Sequence, residues 1–159
     1  MTKVLFVCLG NICRSPMAEG LFIQKVKEAG LEGQIEIDSA GTGGWHVGER
    51  ADARMRQTAA KHGVDLPSRA RKVKESDFRN FDYILAMDQS NLRDLEDLEG
   101  GVSGTKARLF KMRHFDPLAP EADVPDPYYG GQRGFEDVYD MLDRSTEELL
   151  RFIREEQKM

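Results

Sequence analysis

The sequence predicts an α/β domain built on a largely parallel sheet. Short β-prone apolar runs alternate with stretches whose apolar residues recur at helical spacing, the pattern of successive strand–helix units. Glycines, prolines and capping residues fall between them, where turns are needed. The 159 residues, without internal repeat, linker or low-complexity tract, suit a single domain over 1–159 that buries a core without staples.

Residues 4–8, Val-Leu-Phe-Val-Cys, form the continuous apolar run of a strand buried on both faces. Ser15 and Pro16 open a helix, since serine caps well and proline suits the first helical position. Met17, Leu21, Phe22 and Val26 repeat at helical spacing until Gly30 stops the run. Residues 34–38 alternate as a short strand, and a glycine-rich loop occupies 39–48. A second helix covers 51–62, ended by Gly63, and 75–80 hold one or two further turns. Residues 83–87 are another buried strand, after which Asp88 caps a helix reaching Leu98. Beyond a loop at 100–104, residues 107–111 make the fourth strand. Residues 116–134 hold four of the six prolines and read as an ordered, irregular surface loop of the kind that carries function. Phe135, Val138, Leu142, Leu149, Phe152 and Ile153 mark one face of a long last helix.

The charge balance is 23 basic against 28 acidic residues, a net −5. Such a chain has no general electrostatic pull toward nucleic acid or an anionic membrane, though a local basic pocket is compatible with it. No apolar run reaches the ~18 residues that span a bilayer, so no membrane insertion is expected. The apolar N-terminal run is too short for a secretory segment, which points to a cytoplasmic protein. Cys8 and Cys13 are no disulfide framework, and His46, His62 and His114 are scattered. A structural metal is not expected.

The informative segment is Cys8-Leu9-Gly10-Asn11-Ile12-Cys13-Arg14-Ser15-Pro16. A strand ends, a tight loop follows and a helix begins, which places a phosphate-binding loop between the first strand and the first helix. Ligands of parallel sheets sit outside the carboxyl ends of strands, and a helix start offers free N–H groups and a positive dipole end. Gly10 and Asn11 are the residue types that tolerate the left-handed backbone of an anion-binding nest. In a loop curled round one phosphate, Cys8 sits beneath the phosphorus and Arg14 clamps two oxygens. The same donors favour a thiolate on Cys8, a nucleophile that needs no adjacent histidine base. Taken singly, Cys8 also reads as a small core residue and Arg14 as a solvated helix start; the order of strand, turn, Arg, Ser and Pro favours the site.

These residues resemble the low-molecular-weight protein tyrosine phosphatases. The likeness is carried by 4–16 with Ala18-Glu19, by Ile37-Asp38-Ser39-Ala40-Gly41, by 81–88 with Ser90-Asn91-Leu92, and by Asp126-Pro127-Tyr128-Tyr129-Gly130. It covers nearly the whole chain. It implies a four-stranded parallel twisted sheet with helices on both faces, no cofactor, and hydrolysis of aryl phosphate monoesters, with a phosphotyrosine protein or a small aryl phosphate as substrate.

The resemblance also implies roles. Cys8 attacks phosphorus, giving a phosphocysteine that water then hydrolyses. The amides of Leu9, Gly10, Asn11, Ile12, Cys13, Arg14 and Ser15, with the Arg14 side chain, hold the phosphate oxygens. Ser15 either caps the helix or donates to the Cys8 sulfur, and the two are compatible. Asp126 is the general acid, with Asp116, Glu121 and Asp123 as rivals in the same segment. Trp45, Tyr128 and Tyr129 wall an aromatic slot whose base is Leu9 and Ile12, and each aromatic reads alternatively as packing. His46 stands at the rim, tuning specificity or merely solvated. Asn11 pins the loop to Ser39 and to the position of a family histidine, where this chain has Ser68 and water fills the gap. Asp88 braces the loop, although a helix cap accounts for it alone. Cys13 is the partner with which Cys8 forms a disulfide on oxidation, or else fills an apolar gap. The exposed aromatics leave a monomer and a weak homodimer both open.

Rival functions fit less well. Arsenate reduction on such a loop needs relay cysteines, and none follows Cys13. A phosphocarrier needs neither Arg14 nor Asp126. A phosphate-binding or redox-sensing module keeps Cys8, Cys13 and Arg14 but has no use for the Asp-Pro-Tyr-Tyr motif.

Overall fold

A computed structural model describes residues 1–128 and 130–159. β1 (Thr2–Cys8), β2 (Ile35–Gly41), β3 (Tyr83–Ala86) and β4 (Arg108–Lys111) form one sheet in the order β2-β1-β3-β4, and every pairing is parallel. β1 is interior, paired from Thr2 opposite Ile35 to Cys8 opposite Gly41 on one side, and from Val4 opposite Tyr83 to Val7 opposite Ala86 on the other.

Its side chains alternate between two cores. Val4, Phe6 and Cys8 join one built with Met17 and Phe22 of α1 (Arg14–Glu28), Met55 and Ala59 of α2 (Ala53–Lys61), and Phe135, Val138, Leu142 and Leu149 of α5 (Gln132–Gln157). Leu5 and Val7 join the other, with Phe78 of α3 (Asp77–Asn80) and Leu95 of α4 (Gln89–Glu99). Helices thus cover both faces, and the strand between them has no wet side. That is why β1 reads as an unbroken apolar run.

Element boundaries differ from the sequence expectation where tertiary pairing sets them. β2 continues through Ser39, Ala40 and Gly41, which the glycine-rich composition assigns to a loop. They lie in register beside β1, with Phe6, Val7 and Cys8 opposite them, and the backbone of Gly41 bonds on its other side to Arg71 and Val73. α2 starts at Ala53 because Asp52 caps it, accepting the Arg54 amide at 2.8 Å. α5 begins at Gln132, inside the segment expected to be irregular. A 3-10 turn at Met112–Phe115 follows β4 directly.

The chain runs from β1 out to the edge strand β2, then crosses back to β3 on the other side of β1. The strand order therefore reverses at β1, the place where open parallel sheets leave a crevice beyond their carboxyl ends. The loop between Cys8 and Arg14 lies there.

Candidate active site

The loop is organised by what its backbone does with its polar groups. The carbonyls of Cys8, Leu9 and Ile12 accept the amides of Thr42, Gly43 and Asp52 at 2.9, 2.9 and 2.8 Å. The amides of residues 9–15 have no acceptor among the described residues. The next residue, Pro16, has no N–H to leave unpaired. So the loop is fastened through its carbonyls and keeps its donors for something else. At the start of α1 those donors carry the positive end of the helix dipole.

Ser15 does not cap this helix. The N-cap residue is Cys13, which makes no side-chain cap bond, and Ser15 is the second residue of the first turn, with its hydroxyl on the Cys8 sulfur instead of a backbone amide. Its Oγ sits 3.0 Å from Cys8 Sγ and accepts from Asn11 Nδ2 at 2.8 Å. Asn11 donates into that oxygen, and the Ser15 proton has a Cys8 thiolate or the more distant Ala40 carbonyl, at 3.5 Å, as acceptors. A capping hydroxyl would have consumed one of the free amides.

Asn11 adopts the expected left-handed backbone, φ 56°, but Gly10 does not. Gly10 answers to proximity instead: a Cβ there would lie 3.1 Å from the His46 ring.

Cys8 is buried at the end of β1, where the amide run begins, and lines the same cavity as the loop. Cys13 is buried too, and burial foremost, then Asp52, Cys8 and Asp126, pushes its thiol well above the ordinary range. The Cys13 thiol is thereby held protonated. Arg14 is buried, which works against its charge, but Cys8, Asp88 and Asp126 outweigh that and hold the guanidinium charged. Its Nη1 donates to Asp88 Oδ2 at 2.7 Å and to the Val124 carbonyl at 3.0 Å. Nη2 lies 3.7 Å from Asp126 Oδ2, beyond hydrogen-bond reach. The Nε–Nη2 edge is therefore the one available to an anion. Asp88 caps α4 through Asn91 N and braces Arg14 with its other oxygen, so the cap does not account for it alone.

Asp126 is 37% exposed, with Oδ1 on the Tyr128 amide at 3.0 Å. Its rivals are placed elsewhere. Asp116 is buried between Arg113 and Arg144, Glu121 pairs with His114, and Asp123 pairs with Lys111.

Asn11 donates to Ser15 and Ser39 and accepts the Arg71 amide. Ser68 does not reach Asn11, and no water need be invoked for it: it donates to Glu19 Oε1 at 2.7 Å, where Ser39 also donates at 2.6 Å. Glu19 is the buried hub that sequence reasoning missed. Burial raises its carboxyl, against the two serine hydrogen bonds. The available signal was an acid inside the apolar run Met17-Ala18-Glu19-Gly20-Leu21.

Cys8, Leu9, Gly10, Ile12, Cys13, Arg14, Trp45, His46, Asp126 and Tyr128 line one cavity of about 390 Å³. Leu9 is 41% exposed and stands at the mouth, leaving the buried Ile12 as the lower wall. Trp45 is 71% exposed and cannot be core packing. Tyr128 lies 6.3 Å, centre to centre, from His46, and Arg54 stacks on its ring at 5.3 Å. Tyr129 lies outside the described residues.

The family model for low molecular weight phosphotyrosine protein phosphatases matches residues 3–159. The chain is 47% identical over 157 residues to the Schizosaccharomyces pombe low molecular weight phosphotyrosine protein phosphatase, covering 96% of this chain and 99% of that one. Its fold matches the crystal structure of an Entamoeba histolytica protein tyrosine phosphatase with a TM-score of 0.90, at 44% identity and full coverage of both chains. It also matches that of a Drosophila arginine phosphatase with a TM-score of 0.91, at 34% identity over 96% of this chain and 98% of that one. A loop of free amides between a buried cysteine and a buried arginine, in a chain so closely matched from end to end, places this protein in the low molecular weight phosphotyrosine protein phosphatase family.

Proposed function

We propose that the chain hydrolyses phosphotyrosine and other aryl phosphate monoesters in two steps, through a phosphocysteine on Cys8. The observation that carries this is the unpaired amide run of residues 9–15, which includes the buried Arg14, with Cys8 and Arg14 lining the same cavity and Cys8 Sγ on the Ser15 hydroxyl. These donors and the Nε–Nη2 edge of Arg14 hold the three non-bridging oxygens as the phosphoryl group moves. In the first step Cys8 attacks phosphorus, the ester bond breaks, and protonated Asp126 gives its proton to the leaving phenolate. In the second, Asp126 takes a proton from water, which displaces the sulfur and releases inorganic phosphate. Ser15 donates to the departing Cys8 thiolate. Ile12, Trp45 and Tyr128 wall a slot that suits a phenyl ring and holds a short serine phosphate away from the loop. Cys13 serves a second chemistry: once peroxide turns Cys8 into a sulfenic acid, the Cys13 thiol attacks that sulfur, water leaves and a disulfide closes.

Substitution separates the roles. Cys8→Ser should still bind phosphate but show no turnover. Asp126→Ala should slow phenyl phosphate by on the order of 10² or more, and p-nitrophenyl phosphate far less, because a better leaving group needs less protonation. Equal losses on both substrates would remove Asp126 from the acid role. Faster turnover of phosphoarginine than of phosphotyrosine would move the substrate class to that of the Drosophila relative.

A further inference from the structure

The segment from Trp45 to Lys74 carries eight basic and three acidic residues in a chain whose net charge is −5. The acids in reach are already engaged. Asp52 pairs with Arg54, and Glu49 with His46. Arg71 is neutralised by Asp38 and Asp77. Arg50, Arg56 and Arg69 have no acidic partner among the described residues; Arg56 and Arg69 donate only to the carbonyls of Ala51 and Gly48. The backbone also sets Arg50 opposite Arg69 in an antiparallel bridge. Like charges directly opposite one another are destabilising, and no acidic side chain among the described residues pairs with either.

These cations border a groove of about 410 Å³ that runs on from the phosphate cavity. The two share Ile12, His46 and Tyr128; Arg50 and Arg56 line the groove together with Glu49 and Asp52, the acids already paired with His46 and Arg54. A peptide whose phosphotyrosine enters the cavity must lay its neighbouring residues along this rim.

We propose that the groove bearing Arg50 and Arg56, with Arg69 behind Arg50, is a docking surface for acidic residues flanking the phosphotyrosine of a peptide substrate. This rests on the phosphatase reading above. A peptide is favoured over an anionic membrane because the groove is continuous with the aryl slot and the rest of the surface is net acidic. Opposite charges at such a rim act on encounter and selectivity more than on the chemical step.

The test compares two phosphotyrosine peptides that differ only in carrying Glu or Lys beside the phosphotyrosine, with p-nitrophenyl phosphate measured alongside. The wild type should prefer the Glu peptide in kcat/KM by roughly tenfold at low ionic strength, the sum of two exposed pairs. The preference should shrink severalfold in ~0.5 M salt. Arg50→Glu should abolish or reverse it, and Arg56→Gln should weaken it, with p-nitrophenyl phosphate turnover within about twofold of wild type in both. An unchanged preference in Arg50→Glu, or none in the wild type, overturns the proposal while leaving the chemistry intact. Absence of p-nitrophenyl phosphate turnover in the wild type overturns the phosphatase reading, and the docking surface with it. Arg50-dependent binding to phosphatidylserine vesicles without peptide selectivity would make the partner a membrane and likewise overturn it.

Discussion

Asn11 combines a backbone that side chains resist with three hydrogen bonds that reward it. Its φ of 56° costs an ordinary residue ~1 kcal/mol or more, and its amide reaches Ser15, Ser39 and the Arg71 N–H. The two contributions separate by substitution. Asn11→Gly keeps the backbone and loses the pins; Asn11→Ala loses both. Both should lower kcat/KM for phenyl phosphate by about tenfold or more, because Ser15 is no longer oriented toward Cys8. Alanine should cost about 1 kcal/mol more stability than glycine in urea unfolding, and equal stabilities would show that the backbone is unstrained. The left-handed turn at Asn11 was legible in the sequence because backbone tolerance is a property of residue type; Gly10, expected to share it, instead makes room for the His46 ring. The role of Glu19 was not, since an acid in an apolar run does not reveal which hydroxyls converge on it. Ser15 was half legible: position suggests a cap, but only the loop's need for free amides turns its hydroxyl toward the sulfur.

At the level of elements, the end of β2 is a wall against which the loop is cast. Gly41 pairs with Cys8, and its own N–H and C=O bond to Arg71 and Val73. A Cβ on Gly41 would lie 2.8 Å from the Leu9 carbonyl, 3.0 Å from that of Gly43 and 3.3 Å from Asn11 Cβ. Two of these are backbone atoms fixed by the Gly43–Leu9 hydrogen bond, so the loop must move. Gly41→Ala should therefore reduce kcat/KM on p-nitrophenyl phosphate at least tenfold, with about 1–3 kcal/mol lost in unfolding. Gly33→Ala, where nothing lies within 4 Å, is the control and should leave activity unchanged. Wild-type activity in Gly41→Ala would mean that the loop does not depend on this wall. The four strands and five α-helices among the described residues were legible in the sequence, but the 3-10 turn after β4, the first turn of α5 and, above all, the last three residues of β2 were not. Their composition is that of a loop, and their strand geometry is imposed by a neighbour β1 that lies far away in sequence.

Across the whole molecule, one of the contacts that hold the proline-rich segment carrying Asp126 to the body is a buried carboxylate, Asp116. Asp116 is fully buried and accepts from Arg113 at 2.9 Å, from Arg144 of α5 at 3.1 Å on each oxygen, and from the Leu118 amide at 2.9 Å. It joins the turn after β4, the segment leading to the site, and the long helix that backs the sheet. Burial alone would push its carboxyl up, but Arg144, the Leu118 amide and Arg113 together hold it below the usual carboxylate range. A carboxylate lowered on folding gives stability that is complete above its unfolded value of ~3.9 and is lost as pH falls through the folded value. Glu19 has the opposite sign: raised by burial, it is most favourable to the fold when protonated and costs stability as pH rises past ~4.3. A pH profile of wild-type stability mixes the two, so the difference from a variant is what isolates Asp116. Asp116→Asn keeps the shape and leaves two arginines facing a neutral amide, which should cost on the order of 3 kcal/mol at pH 7, or about 6–12 °C in Tm. The gap between wild type and variant should stay constant from pH 7 to pH 5 and close as pH falls below ~4. A gap that persists undiminished at pH 2.5 would mean that shape and hydrogen bonding, not the carboxylate charge, fasten the segment.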